Sequence, residues 1–416
     1  MRLAIVAPEA PFPPTHGGKV DMWRRIKSFA DHGVRVILIT WCTSAEEEST
    51  YREQSEMKRY LPAVHLIHYR SDLQSRMKRW TRLWKYPPLI GRFVPSSEEA
   101  RQAAQSVKTF GVDAVWLESV YPSPLALHLV RTLAKPLFCR LHNIEHLYAR
   151  IMARTATSAR ERLFWHLNSL RMRTLEVGLI RASSRYFPIS TDDLAFWKSL
   201  GFLHGEWLPP CGEAQWTSDQ VSSTTHDVVF LGNLSYALNV KAVLWFAEEV
   251  LPRVRELQAR EVSFLVAGAN PSPELVARLQ RTGTQIMPNP ADALSIYRSG
   301  RVLVNPVMEG GGANVKCVEM IFSPGARVST THGVRGFSTA VQRCFRLADT
   351  ADEFAVAVSS ELSGNAIHDA GALKTARSEL SPDSIAAIVQ KVHDLAMAAK
   401  SSRRFATQSG VHESIT

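Results

Sequence analysis

Lys316 and Glu319 stand three residues apart, just after Gly310, Gly311 and Gly312, in the stretch EGGGANVKCVE over residues 309–319. On a helix that spacing puts both side chains on one face. A lysine there can neutralise a phosphate. A glutamate one turn on can accept two hydroxyls, as a ribose offers them. Glycines ahead of the helix let backbone N–H groups approach an anion with φ unrestricted. A helix N-terminus near Ala313 or Asn314 adds unpaired N–H donors and a dipole favouring negative charge. Together these residues describe a nucleoside diphosphate site, phosphates over the loop and ribose one turn further along. A flexible turn followed by a surface Lys–Glu ion pair is the plainer alternative, and the residues alone leave both open. The loop is neither GxGxxG nor a Walker loop, since no GK[ST] follows.

Two other places offer related chemistry. In APEAPFPPTHGGKVDMWRRI, Pro11, Pro13 and Pro14 stiffen a loop and Gly17 and Gly18 open a helix. This is a second glycine-before-helix anion site, or a plain strand-to-helix connection. In CRLHNIEHLYARI, His142 falls at the carboxyl end of an apolar run. It either serves the chemistry or is a structural histidine. Arg140 and Glu145 read as braces for its loop. Glu118, closing AVWLE, is a further cleft candidate. Asp192 and Asp193 read as a helix cap and first-turn acids.

Short apolar runs must position these residues. They lie near 3–8, 35–40, 64–68, 114–118, 137–142 and 185–190, then near 228–232, 262–268, 284–288, 301–306, 327–330 and 344–349. Helix-length segments separate them, which predicts two α/β, doubly wound parallel sheets covered on both faces. A Pro/Gly/Ser/Thr-rich break without periodicity marks a linker over 207–226. The expected division is therefore 1–206, then 227–400, with a polar, disordered tail at 401–416. In such folds ligands sit beyond the carboxyl ends of the strands, which is where His142 and the two glycine loops fall.

The chain has 416 residues with 45% hydrophobic content, enough for two cores. No apolar run approaches the length of a membrane span, and the first residues read directly as a strand, so a cytoplasmic protein is expected. Five cysteines without a CxxC pair argue against a disulfide framework or a zinc site. The net charge of +10 admits nucleic acid, an anionic membrane or phosphorylated substrates as partners. Residues 69–93 hold seven of the basic residues, interleaved with Trp80, Leu83 and Trp84, as suits a helix on an anionic membrane or a solvated face. Residues 149–173 are basic too. No nucleic-acid module is recognisable, which makes that partner unlikely.

The glycine loop, with FLGNLSYALNVKAVLWFAEEVLP (230–252), LVAGANP (265–271) and HGVRGF (332–337), resembles family 4 glycosyltransferases of the GGG-x-x-x-K-x-x-E subgroup. The resemblance spans nearly the whole chain. It implies the GT-B fold, two Rossmann-like domains facing across a cleft, with the acceptor on the N-terminal domain and the nucleotide-sugar donor on the C-terminal one. It implies a retaining transfer to a glycan or lipid-linked acceptor in bacterial surface or exopolysaccharide synthesis, on the inner membrane face. No cofactor or metal is expected. His142, Lys316 and Glu319 would be catalytic. Gly17, Gly18, Asn233, Glu309, Gly310, Gly311, Gly312, Ala313, Asn314, Lys316 and Glu319 would bind the donor. Many members carry a first glutamate eight positions before Glu319. Here that place is Gly311, so either Glu309 substitutes or that glutamate is absent. The usual Arg…Lys pair is reduced to Lys241, which shifts phosphate neutralisation to Lys316 and Arg335. An inactive nucleotide-sugar-binding scaffold and a nucleotide-sugar epimerase are the alternatives on the same fold.

Overall fold

Each apolar run named from the sequence forms a strand, and every strand pair is parallel. A computed structural model describes residues 1–43, 48–49, 51, 54–69, 77, 82, 85–156, 158–213, 224–364 and 369–412, with side chains as far as 401. The first sheet holds β1 (Arg2–Val6), β2 (Arg35–Cys42), β3 (Ala63–His68), β4 (Ala114–Glu118), β5 (Leu137–Leu141) and β6 (Arg185–Pro188). The second holds β7 (His226–Leu231), β8 (Phe264–Gly268), β9 (Gln285–Pro288), β10 (Gly300–Asn305), β11 (Ala326–Ser329) and β12 (Arg346–Leu347). Their orders are β3-β2-β1-β4-β5-β6 and β12-β11-β10-β7-β8-β9, the same topology twice.

The unbroken apolar runs follow from burial on both faces. In β1, Ala4 and Val6 face one core cluster while Leu3 and Ile5 face the other. Trp116 of β4 stacks on Phe187 at 5.2 Å between ring centroids and meets Phe29 edge-on at 5.2 Å. Such ring pairs add about 1 kcal/mol each beyond the buried area. In each sheet the strand order reverses beside the first strand, between β1 and β4 and between β7 and β10. A crevice opens at the carboxyl ends of such neighbours, and both crevices receive loops carrying sequence candidates.

The last helix, Ile385–His412, crosses back. Ile385, Ile388, Val392 and Ala396 join the core of the first sheet beside Leu3 and Ile5. The sequence division kept everything to residue 400 with the second domain. The apolar spacing of this helix is satisfied on the first instead. Nor does the chain become irregular at 401, since the helix continues to His412. All five cysteines are buried and unpaired. No described helix is long and apolar enough to cross a membrane. Most of the basic stretch 69–93, including Arg70, Arg76, Lys78, Arg79, Trp80 and Trp84, lies outside the described residues, as does 214–223 of the linker.

Candidate functional site

Loops after β1 and β5 of the first sheet meet loops after β7 and β10 of the second. The helix Gly17–Asp31 starts opposite the helix Val315–Ile321. A Cβ on Gly17 would lie 3.5 Å from Val315, so the two helix starts are in contact across the cleft. Neither start has a side-chain cap. The side chains of His16 and Asn314 accept from none of the first-turn N–H groups; the Asn314 carbonyl takes the Cys317 N–H at 2.9 Å, which leaves the N–H groups ahead of it for a ligand. Asn314 donates its side-chain N–H to the Gly333 carbonyl at 3.0 Å.

The glycines after β10 have a steric reason to be glycine. Gly312 sits at φ +62°, and a Cβ there would lie 2.1 Å from the His142 carbonyl oxygen. A Cβ on Gly311 would lie 2.7 Å from Asn143 Oδ1. Gly310 has φ +147° and faces Leu238. The glycine loop of the second domain therefore seats against the His142–Asn143 corner of the first. Only residues without a Cβ permit that approach.

Lys316 is half-buried at the floor of this loop. Its Nζ donates to Asn239 Oδ1 at 2.9 Å and stands 4.3 Å from the Phe230 ring centroid. Among the described residues no carboxylate pairs with it. Burial pushes its pKa down to about 8, with Cys317 and Glu319 opposing the shift. Glu319 is buried and already engaged. Its Oε1 accepts from Arg24 at 2.8 Å and its Oε2 from the Tyr297 hydroxyl at 3.1 Å. Arg24 also reaches Glu213 of the linker at 3.3 Å, and Lys27 joins Glu213 at 3.2 Å. Arg24 thus ties the first helix to the linker and to the second domain.

His142 has 19% of its side chain exposed and is clamped from below. Its Nε2 lies 2.8 Å from Glu118 Oε1, and its Nδ1 lies 3.9 Å from Asp21 Oδ2. Beneath it Arg25 bridges Asp21 and Glu118, while Arg140 donates to Asp21 at 2.9 Å. Trp116 Nε1 adds a donor to Glu118 at 2.9 Å. Burial alone would raise the pKa of both carboxyls, but Arg140 and Arg25 hold Asp21 low, and Arg25 and His142 hold Glu118 low. Asp21, Glu118 and His142 have metal-ligating side chains within 4.8 Å of one another. Each carboxylate is already neutralised by a guanidinium, so a dication would add its charge beside two buried cations. The arrangement suits a histidine held in one orientation.

Glu145 accepts from Tyr121 at 2.7 Å and from Asn143 at 3.4 Å, and burial raises its pKa to about 7. With Arg140 it braces the histidine corner, as read from the sequence. Glu309 pairs with Lys241 at 2.6 Å on the outer side of the loop. The Asn233 side chain closes its own turn by accepting from Ser235 N at 2.9 Å. Ala313 leans into the second domain's core, and Gly18 packs beside His16. Asp193 follows its capping residue Ser190, and burial raises its pKa to about 7. Sequence reasoning missed Asp21, Arg24, Arg25 and Tyr297. For the first three the signal was the run DMWRRI, where Asp21 and Arg25 stand at i and i+4 on an otherwise apolar face; nothing local marked Tyr297.

No protein-family model matches the chain. A Klebsiella pneumoniae protein, named as an uncharacterized 44.6 kDa protein in the cps region, is 22% identical over 349 residues, covering 81% of this chain and 85% of its own. Among solved structures, TarM of S. aureus, crystallised with fondaparinux, α-GlcNAc-glycerol and UDP, superposes with a TM-score of 0.64 at 9% identity over 95% of this chain and 99% of that one. HepE of Anabaena, in complex with UDP and glucose, gives a TM-score of 0.61 at 11% identity over 95% and 99%. The two repeated sheets, the cleft between them and these neighbours establish the fold as GT-B, that of its glycosyltransferase neighbours.

Proposed function

We propose that the chain is a nucleotide-sugar-dependent glycosyltransferase that works with retention and without a metal, delivering a sugar to a glycan or lipid-linked acceptor of polysaccharide synthesis. The observation that carries this reading is Lys316, a half-buried cation without a carboxylate partner among the described residues, under a glycine loop in the interdomain cleft. Such a charge is costly unless an anion meets it. A diphosphate would do so, with uncapped helix N–H groups as further donors. These groups would stabilise the charge that develops on the departing diphosphate, the role a metal plays elsewhere. The ribose hydroxyls would take Glu319, displacing Arg24. His142, fixed by Glu118 and Asp21, would face the transferred sugar. The acceptor hydroxyl would attack from the leaving-group side, with a departing phosphate oxygen taking its proton. The cps-region relative and the UDP-bound neighbours support UDP as the first nucleotide to try and polysaccharide as the setting.

Thermal unfolding with UDP, GDP, ADP, CMP and dTDP, with and without EDTA, tests the donor site. A nucleotide at about 100 times its dissociation constant adds about 2.7 kcal/mol. A shift with one nucleotide, unchanged by EDTA, supports the site, and slow donor hydrolysis or transfer then establishes the enzyme. Binding with neither reaction favours the inactive scaffold, to which the occupied Glu319 already lends weight. No shift with any nucleotide at millimolar concentration sinks the donor reading.

A further inference from the structure

The helix Ala159–Ala182 packs one face into the first domain through Asn168, Met172, Glu176, Leu179 and Ile180. At 100° per residue, Leu163, Leu167 and Leu170 fall within about 60° of one another on the opposite side. They are 59%, 37% and 62% exposed. Arg160 and Arg171 flank this stripe at about 60–80° on one side, and His166 and Arg173 at similar angles on the other. All four flanking residues are exposed, and none of the three arginines has an ion-pair partner among the described residues. Arg150 and Arg154 of the helix Glu145–Thr155, packed alongside, are exposed as well. An apolar stripe between two basic borders is what a helix lying in a lipid interface presents.

We infer that this outward face docks on an anionic lipid surface, the leucines entering the interface and the arginines meeting headgroup phosphates. A second copy of the chain is a poorer occupant, because stacking two such faces would bring arginine borders together. The described end of the 69–93 stretch adjoins the same surface. Arg92 lies over the Phe164 ring at 5.8 Å, on the Arg160–Arg171 side of the stripe, while Leu89 N donates to Asn168 Oδ1 at 2.9 Å on the inward face. Opposite the stripe, on the inward side of the helix, Trp165 meets Tyr148 edge-on at 6.0 Å, and the Tyr148 hydroxyl lies 3.1 Å from that of Tyr236 across the cleft. The stripe and the cleft wall therefore lie on opposite sides of this helix. This surface does not depend on which nucleotide binds.

Flotation of the full chain with phosphatidylcholine vesicles, with and without roughly one-third phosphatidylglycerol, tests the docking. The expected result is binding to the anionic vesicles only, weakened by salt. The triple variant Leu163→Gln, Leu167→Gln, Leu170→Gln should retain the wild-type unfolding temperature and bind at least tenfold more weakly. Replacing Arg160, Arg171 and Arg173 by Gln should weaken binding and flatten its salt dependence. Absence of wild-type binding overturns the inference, as does unchanged binding by the leucine variant. So does a wild-type dimer in sedimentation that the leucine variant turns into a monomer without any vesicle binding.

Discussion

Replacing Lys316 with methionine should stabilise the empty protein and remove its response to nucleotide. The ammonium is held near 8 rather than 10.5. At 1.36 kcal/mol per pH unit, carrying that charge at pH 7 costs about 3 kcal/mol. Methionine keeps a similar shape over the Phe230 ring but leaves Asn239 Oδ1 without its donor, which returns about 1–2 kcal/mol. The net expectation is a gain of about 1–2 kcal/mol, measurable by chemical unfolding at pH 7. The sign reverses with pH. Between about 8 and 10.5 the unfolded chain holds the lysine proton and the native one does not, so wild-type stability rises with pH across that window. Methionine removes this rise.

The same proton governs binding. A diphosphate favours the charged lysine, so affinity for UDP should be level below pH 8 and fall up to about tenfold per pH unit above it. Titration calorimetry from pH 6.5 to 9.5 reads that slope directly. A flat profile for the wild type, or unchanged UDP affinity in Lys316→Met, would refute the assignment of Lys316 to the diphosphate. A variant less stable than wild type at pH 7 would show that the lysine is a structural residue.

Gly312→Ala places a Cβ against the His142 carbonyl at a φ that disfavours side chains, and should cut turnover at least about tenfold; Gly311→Ala meets side chains, Asn143 and the edge of Tyr148, rather than backbone and should cost less, a ranking read from kcat/KM. Arg24→Met leaves Glu319 and Glu213 without their shared cation, so the empty protein should lose about 3 kcal/mol, and saturating UDP should shrink that loss if the ribose replaces Arg24; equal losses with and without UDP would deny the exchange. Glu145→Gln should raise the unfolding temperature at pH 8 and leave it unchanged near pH 4.5. The native carboxyl stays protonated up to about 7, so stability falls as pH rises from 4.5 to 7 and the amide escapes that fall.

The strands were legible because parallel strands buried on both faces must be uninterrupted apolar runs. Even β12, a two-residue strand with both residues exposed, lay within a run the pattern marked. The glycine loops were legible because glycine is needed where backbone meets something closely. What they meet was not. Gly312 abuts His142, far away in the chain, and no local pattern reports that contact. Glu319 read as an open acceptor for ribose because its helix shows only Lys316 nearby. Its partners Arg24 and Tyr297 come from other elements. The last helix carried an apolar face that named no domain, and only folding shows it packed on the first.

Lys316 and Glu319, so alike in the sequence, end in opposite electrostatic states. Among the described residues Lys316 has one neutral hydrogen-bond acceptor and a ring face, so its charge is under-compensated. Glu319 has a guanidinium and a phenol, so its charge is satisfied. A ligand carrying both a diphosphate and a diol would gain at the lysine and pay a bookkeeping cost at the glutamate, where Arg24 must be given up. The diphosphate should therefore supply most of the affinity, and the sugar of the nucleoside should act mainly on the domain tie through Arg24. Inorganic pyrophosphate should then compete with UDP nearly as well as its charge allows, while leaving the Arg24–Glu319 bridge in place. Uridine alone should bind poorly, since it meets the cost without the gain.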